Sequence, residues 1–520
     1  MKFFLVTVTS LFLQPYQSAV AGKVLLLPLP FVDSHWFAQL NLGRALVKRG
    51  HVVTALVSHD SLSERQTPEF SFETFEDQGT RAKLKTIEGR MFSNSEELSL
   101  VGMVQGKLAL ADELMKHCDL LLGDSALIQR LRDSRYSVMI TETFFPCGAI
   151  LAAYLRVPNV VHIRVDSFTI DFSATGVPQP PAYVPWLWLP FTDQMTFLQR
   201  AQNAILSTLV SRVLQGIVSS KFDGLASRYL GVDEALLSVM SRADLWLYRF
   251  DHVLDFPAPS MPNMIHVGGL NVRQVIALAE DLEAFVQSSG EDGVVVVSFG
   301  SMVKRMTMER AEVMAAAFAQ LRQKVVWRFT GVKPTGLGSN TKLMAWLPQN
   351  DLLAHPKTRA FISHAGYNGL SEALHHGVPM VCMPFFGDQP TNAARVVARG
   401  LGVKLEFTTV TTDELYKTIK HVISNNSYRE TAARLSRLHR DQPQSPMERA
   451  VWWVEHVIKH GGLPHLRARA VELPWYQYYL LDVAAFLLAV CSAVLGTAWC
   501  SCLFVCRMCC RKSSDKVKQQ

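Results

Sequence analysis

The sequence predicts an α/β protein: two doubly wound domains of parallel strands, facing across a cleft, followed by one membrane-crossing helix. Three features of the 520-residue chain carry this reading. Short apolar runs alternate twice over with stretches of helical periodicity. Glycine-bearing turns stand where such runs give way to helices. Near the end, Val483 to Cys506 gives 24 residues without a charge. A run of four to six apolar residues bounded by turn signals fits a strand buried on both faces, as in a parallel sheet between two helix layers.

In chain order, Lys2, the apolar run Phe3 to Leu13 and Ala19-Val20-Ala21 before Gly22 make residues 1–21 a cleaved secretory signal. Lys23 to Pro28 opens the first domain, 22–270, as a strand. Ser34 stands where it can cap a helix running from Trp36 to Arg49, before Gly50. Val52 to Val57, Val138 to Thr141 and Asn159 to Ile163 supply later strands. The polar Ser58 to Ser99 and the Pro-rich, aromatic Val177 to Pro190 break the alternation. Irregular segments of this kind either line an acceptor pocket or are plain surface loops. Gly268-Gly269 and the polar stretch after it make 271–292 a linker.

The second domain, 293–445, opens with the apolar strand Val294 to Phe299 and ends where Pro443 to Pro446 interrupts the pattern. Residues 446–482 hold a Trp-rich helix, Met447 to Lys459, and a juxtamembrane segment. The span, 483–506, is long enough to cross the hydrocarbon layer as a helix. Trp475, Tyr476, Tyr478 and Tyr479 precede it as an aromatic belt, and a basic tail, 507–520, follows. That asymmetry places the large domains in the lumen. The tail's five basic residues against one acid supply +4 of the formal +7, so the charge is mostly topology and implies no nucleic-acid partner.

At 49% hydrophobic residues the chain can bury two cores and still furnish the span. Of nine cysteines only Cys118, Cys147 and Cys382 precede the span, too few and too scattered for a disulfide framework or a zinc site. Cys506, Cys509 and Cys510 are candidates for acylation. Asn425-Asn426-Ser427 is a glycosylation sequon.

The chemistry concentrates in Phe361 to Gln389, with Trp346 and Gln349 upstream. Arg359 to Ser363 reads as a strand and Leu370 to His376 as a helix ended by Gly377, so His364 to Gly369 is the turn between them. Free N–H groups and the helix dipole there suit a phosphate, and Gly366 and Gly369 let the backbone approach it. His364 and Asn368 add donors. Glu372, one turn after Asn368, can accept two ribose hydroxyls, and Trp346 offers a flat face to a base. A strand from Pro379 to Pro384 brings Asp388 and Gln389 beside the phosphates, with Pro390 in the next helix's first turn. Platform, ribose carboxylate, diphosphate cradle and sugar reader together describe a nucleotide-sugar site.

From Phe361 to Gln389 the chain is similar to the signature of the UDP-glycosyltransferases, and throughout its length it resembles their membrane-bound, vertebrate UDP-glucuronosyltransferase-like members. The resemblance implies a GT-B fold in which the last helix crosses back to the first domain. It implies that Trp346 and Gln349 hold uracil, Glu372 the ribose, Ser301, His364, Asn368 and Gly369 the diphosphate, and Asp388 and Gln389 the sugar. Ala365 departs from the usual Gly. His35, in the first strand-to-helix turn, matches the family's catalytic histidine, and imidazole titrates where a general base must. Glu142, where most members carry Asp, is the candidate to orient it.

The expected reaction is metal-free, inverting transfer from a UDP-sugar to a small lipophilic alcohol or phenol, with no cofactor beyond the donor. No Asp-x-Asp pair supplies metal ligands, so side chains and helix termini must meet the leaving-group charge. Glucuronic acid is the expected sugar, but Ala258 stands where glucuronosyl relatives often carry a basic residue. Transfer of a neutral hexose or N-acetylglucosamine is one alternative, and a catalytically weak subunit modulating related enzymes another. The resemblance leaves room for homo- or hetero-oligomers. The Lys516-Val517-Lys518 ending resembles a dilysine retrieval signal, pointing to a single-pass type I protein of the endoplasmic reticulum membrane.

Overall fold

Strands β1 (Lys23–Leu26), β2 (Val52–Ser58), β3 (Ser71–Phe75), β4 (Val138–Thr141), β5 (Asn159–Ile163), β6 (Leu245–Tyr248) and β7 (Met264–His266) build one sheet, ordered β3-β2-β1-β4-β5-β6-β7 with every pairing parallel. Strands β8 (Val294–Ser298), β9 (Lys324–Arg328), β10 (Thr341–Met344), β11 (Thr358–Ser363), β12 (Met380–Cys382) and β13 (Gly402–Lys404) build a second parallel sheet, ordered β10-β9-β8-β11-β12-β13. The structure is a computed structural model that describes residues 21–93, 100–163, 170–300 and 306–517. The secretory-signal reading, Ala21 apart, and Ser301 therefore lie outside the described residues.

Each sheet reverses direction beside its first strand, β4 returning next to β1 and β11 next to β8. Such a switch point opens a crevice beyond the carboxyl ends of the two strands. It sets the segments carrying His35 and Glu142 side by side in the first sheet. In the second it does the same for Gly300 and His364.

β8 shows why these runs are apolar throughout. Val295 and Val297 pack against Met314 and Phe318 of the helix Met308–Ala319, whereas Val294 and Val296 pack against Leu370 and Leu374 of the helix Tyr367–His376. Both faces of the strand are covered, so neither tolerates a polar residue, and each buried valine contributes roughly 1.5–3 kcal/mol.

The helix Pro446–His460 has a complete set of stop and start signals: a Ser445–Glu448 capping box, Pro446 in the first turn, and Gly461 at φ 68°. Its Ala450, Val451, Val454 and Val457 join the cluster of Val24, Leu26, Trp36 and Val138 under the first sheet, and Glu455 takes both Arg49 Nε and Nη2 at 2.9 Å.

The structure departs from the sequence reading in five places, one of them the linker 271–292, which holds the helix Glu280–Gln287 with Leu282 and Val286 buried in the second-sheet core. The first helix begins at Asp33 with Val32 in the cap position and no side-chain cap, so Ser34 lies inside it. The stretch Ser58–Ser99 holds an edge strand, β3, and the helix Thr80–Ser93; β3 escaped notice because an edge strand buries little, here fully only at Phe75. Cys118 and Cys147 form a disulfide, their Cα atoms 5.5 Å apart. It ties the helix Leu100–Gly123 to the helix Cys147–Leu155. The helix predicted from Leu370 starts at Tyr367.

The strap Val177–Pro190 is organised rather than loose. Fully buried Asn203 donates to Pro181 O and Val184 O, both at 2.8 Å, and accepts from Trp186 N at 2.7 Å. The Thr391 hydroxyl, in the first turn of the helix Gln389–Ala398, is shared between Leu187 O and Leu189 O.

Residues from Ala468 onward form a separate unit. Among the described residues it contains the one helix apolar and long enough to cross a membrane, the 28 residues Leu481–Met508, of mean hydropathy 2.1, within the helix Leu481–Val517. At 1.5 Å per residue this reaches about 42 Å, more than the roughly 30 Å of a hydrocarbon core. It encloses the predicted span 483–506.

Candidate active site

A cleft of about 770 Å³ opens beyond the strand ends of both sheets, lined by residues of each. On its first-sheet side, His35 follows β1 and Glu142 follows β4. His35 Nδ1 and Glu142 Oε2 are 2.7 Å apart, their side chains 12% and 2% exposed. With the proton on Nδ1 donated to the carboxylate, Nε2 is left as an acceptor on a residue that lines the cleft. Glu142 Oε1 is buried and has no partner among the described residues. The pair is braced from behind. Buried Arg65 donates to Leu29 O at 2.7 Å and stands 5.7 Å from the Trp36 ring, and Arg81 Nε donates to Pro30 O at 3.0 Å, which ties down the chain before and after His35.

The second-sheet side is built around His364 at the end of β11. Its ring fills space that only glycine leaves: a Cβ on Gly366 would lie 2.4 Å from Nε2, and one on Gly300, itself at φ +72°, 2.7 Å from Cε1. Burial pushes the imidazole down to about 4, against the pull of Asp388, so His364 is neutral at physiological pH and acts as a hydrogen-bonding group. Ala365 adopts φ +61°, a left-handed conformation costing a residue with a Cβ roughly 1 kcal/mol.

Gly366 then caps the helix Tyr367–His376 without a side-chain bond, which leaves the first-turn N–H groups available. Because the helix starts at Tyr367, Asn368 and Gly369 belong to that turn, and both line the cleft. Tyr367 sets the start: its ring is buried under the Arg249 guanidinium, 4.1 Å away, and its hydroxyl donates to Asp255 at 3.0 Å.

Glu372, on the same helix, accepts from Gln349 Nε2 at 2.7 Å and from Asn271 Nδ2 at 3.2 Å, and Asn271 also donates to Asn368 O. Burial outweighs these bonds and raises the carboxyl to about 7. Trp346 is 59% exposed, with Arg328 4.9 Å from its ring centroid and Phe37 at 6.1 Å. Asp388 accepts from Arg249 Nη2 and Asn392 Nδ2, each at 2.9 Å. Burial raises its pKa, but the charge of Arg249 and these bonds win, holding it below the usual carboxylate range. Gln389 turns its amide oxygen back onto Phe385 N and Phe386 N.

The cleft therefore gathers His35, Trp346, Gln349, His364, Gly366, Asn368, Gly369, Glu372, Asp388 and Gln389, with Glu142 behind His35. Four residues absent from the sequence reading join them: Arg249, Asn271, Arg273 and Arg328. With Arg44 they make the lining basic, four arginines against Glu372 and Asp388, as a bound diphosphate requires. Leu29, Phe31, Val32, Leu110, Phe144 and Trp188 give the same lining an apolar part. Ala258 is not in this cleft; it lies at the exposed rim of a smaller pocket.

Comparison with known proteins places this geometry in a wider group. The family described as UDP-glucoronosyl and UDP-glucosyl transferase matches residues 22–516. UDP-glucuronosyltransferase 1-2 of Rattus norvegicus is 41% identical over 496 residues, covering 94% of this chain and 92% of the relative. UDP-glucuronosyltransferase 1A1 of Homo sapiens is 40% identical over 494 residues, covering 94% and 92%. Among solved structures, a glycotransferase of kitacinnamycin superposes with TM-score 0.58 at 19% identity over 84% of this chain and 98% of that one. The calicheamicin glycosyltransferase gives 0.56 at 17% over 85% and 98%. The structural neighbours make the fold GT-B.

Proposed function

The chain belongs to the UDP-glucuronosyl and UDP-glucosyl transferase family and is a UDP-glycosyltransferase, and from that premise we propose that it transfers glucuronic acid, with inversion, to the hydroxyl of a small lipophilic acceptor. The observation that carries the proposal is the His35–Glu142 pair in a cleft whose lining joins apolar residues to four arginines. The acceptor lies against Phe31, Leu110, Phe144 and Trp188. Its hydroxyl gives its proton to His35 Nε2 as its oxygen attacks the anomeric carbon. The bond from that carbon to the β-phosphate oxygen breaks in the same step, and UDP leaves with the electron pair. Glu142 supports the imidazolium that forms. One displacement turns an α-linked donor into a β-linked product.

On the donor side Trp346 and Gln349 take uracil and Glu372 the ribose. The first turn of the helix Tyr367–His376, with His364, Ser301, Asn368 and Gly369, meets the diphosphate. Arg328 sits over the Trp346 ring, so uracil stacks by displacing or sandwiching it. Asp388 and Gln389 read sugar hydroxyls. Ala258 lies away from the donor, and Arg249, beside Asp388, is the cation that meets the sugar carboxylate. Because Asp388 already holds Arg249, the reading with a neutral hexose as donor retains one observation in its favour.

The deciding assay incubates membranes containing the full chain with 1-naphthol and, separately, UDP-glucuronic acid, UDP-glucose, UDP-galactose and UDP-N-acetylglucosamine, and measures conjugate by mass. Conjugate from UDP-glucuronic acid, undiminished by EDTA, is expected. Product from a neutral donor alone would reassign the sugar, loss with EDTA would bring in a metal, and UDP binding without product from any donor would favour a modulatory subunit. The secretory signal, the helix Leu481–Val517 and the basic tail support residence in the endoplasmic reticulum membrane with the cleft in the lumen.

Glu372 makes donor binding depend on pH. Burial raises its carboxyl to about 7, and ribose hydroxyls donate to the ionised form, so binding lowers that value. Affinity for a UDP-sugar is therefore expected to rise with pH through the range 5 to 7 and to level off above it, by up to about tenfold per unit. A UDP-sugar is the right probe because a terminal phosphate, as in UDP, itself titrates near ~6. Calorimetry should show this slope in the native chain and a flat profile in Glu372→Gln; a slope unchanged by that substitution removes Glu372 from the ribose.

A further inference from the structure

We propose that the smaller pocket is a second ligand site, built for one planar aromatic ring bearing a carbonyl or carboxylate oxygen. It lies beyond the carboxyl ends of β5, β6 and β7, where Ile163, Tyr248 and His266 face it, the position in which open parallel sheets bind ligands. Phe172, Tyr248, Phe256 and Met264 give it apolar walls.

Two donors face it unused. Trp186 Nε1 and Ser207 Oγ are buried and have no hydrogen-bond partner among the described residues, and both residues line the pocket. A buried indole N–H without an acceptor has given up its bond to water and gained none in return, a cost a ligand oxygen relieves. Ser207 also sits in the π-helical turn Ile205–Val210, an irregularity that spoils regular helical bonding and is frequent where helices serve a site.

Size narrows the ligand. The pocket holds about 100 Å³, somewhat less than the roughly 150 Å³ cavity that takes up a benzene molecule. That volume excludes fused rings, and it takes a single ring only with the polar end toward the donors and the far edge standing out at the open rim. Ala258 at the rim keeps the mouth open, as a long basic side chain there would not. Arg249 is common to the walls of this pocket and of the main cleft, so an occupant touches the residue that holds Asp388.

The test reads binding without turnover, so its outcome is separate from that of the transfer assay. Line broadening of the fluorine resonances of 4-fluorobenzamide and 4-fluorobenzoate is followed on the full chain in detergent micelles, with UDP and 1-naphthol saturating the main cleft. Saturable binding that persists under these conditions is expected, weakened about three- to tenfold by Trp186→Phe and further by Trp186→Phe with Ser207→Ala. Stronger binding of the benzoate identifies the ligand as an anion, and equal binding as any oxygen acceptor. Displacement by 1-naphthol, or binding unchanged in the double variant, overturns the proposal. Should the double variant fail to fold, Ala258→Trp at the exposed rim closes the mouth instead, and binding that survives it overturns the proposal as well.

Discussion

Replacing His35 by alanine is expected to lower turnover by about 10³-fold, the middle of the range for loss of a positioned general base, while the melting shift produced by UDP stays unchanged. The separation follows from the architecture. His35 lies just beyond β1 of the first sheet, whereas Trp346, Gln349, His364, Asn368, Gly369 and Glu372, proposed to hold UDP, all belong to the second-sheet side. Glu142→Gln should fall less, by about 10²-fold, because the amide still accepts from Nδ1–H but no longer meets the imidazolium with a charge. Glu142→Asp shortens the reach across a 2.7 Å contact and should retain more activity than the glutamine variant if charge matters more than distance. Turnover within tenfold of native in His35→Ala would remove the base from the mechanism.

Arg249→Met is expected to reduce kcat/KM for UDP-glucuronic acid by about 10²- to 10³-fold and for neutral UDP-sugars by roughly tenfold less. Two effects combine. A charge-assisted contact to the sugar carboxylate is lost, worth about 1.5–3 kcal/mol, and Asp388 loses the partner that keeps it ionised in a buried place. The second effect strikes all donors alike. Arg249→Met with Asp388→Asn removes it, so a preference against the glucuronosyl donor that survives in the double variant belongs to the carboxylate. Equal losses for charged and neutral donors would reduce Arg249 to a brace for Asp388.

The second-sheet half of the site could be read from the chain because it is nearly continuous. Phe361 to Gln389 carries strand, turn, helix, strand and the cleft-lining Asp388 and Gln389 in one stretch, so local spacing suffices to assemble it. The exception is the helix start, where Asn368 and Gly369 suggested a turn by composition; burial of Tyr367 and its bond to Asp255, 112 positions away, override that preference. Arg249 meets Asp388 across 139 positions and Asn271 meets Glu372 across 101. Arg249 carries no motif, and the linker-like surroundings of Asn271 gave no reason to place it in a site. The strands β6 and β7 were likewise hidden, being four and three residues long. The Cys118–Cys147 link needed the fold to bring two unremarkable cysteines together.

The hydroxyl of Thr391 has a consequence for how this enzyme type can be recombined. The strap that carries Trp188 into the cleft lining is fastened to a residue two positions after Gln389, so a loop of one lobe takes its shape from the other lobe. Swapping the first lobe between relatives transfers the strap but leaves its anchor behind. Acceptor preference in such hybrids should therefore follow the pairing of strap and anchor rather than the parentage of either half, and the two contributions will not add.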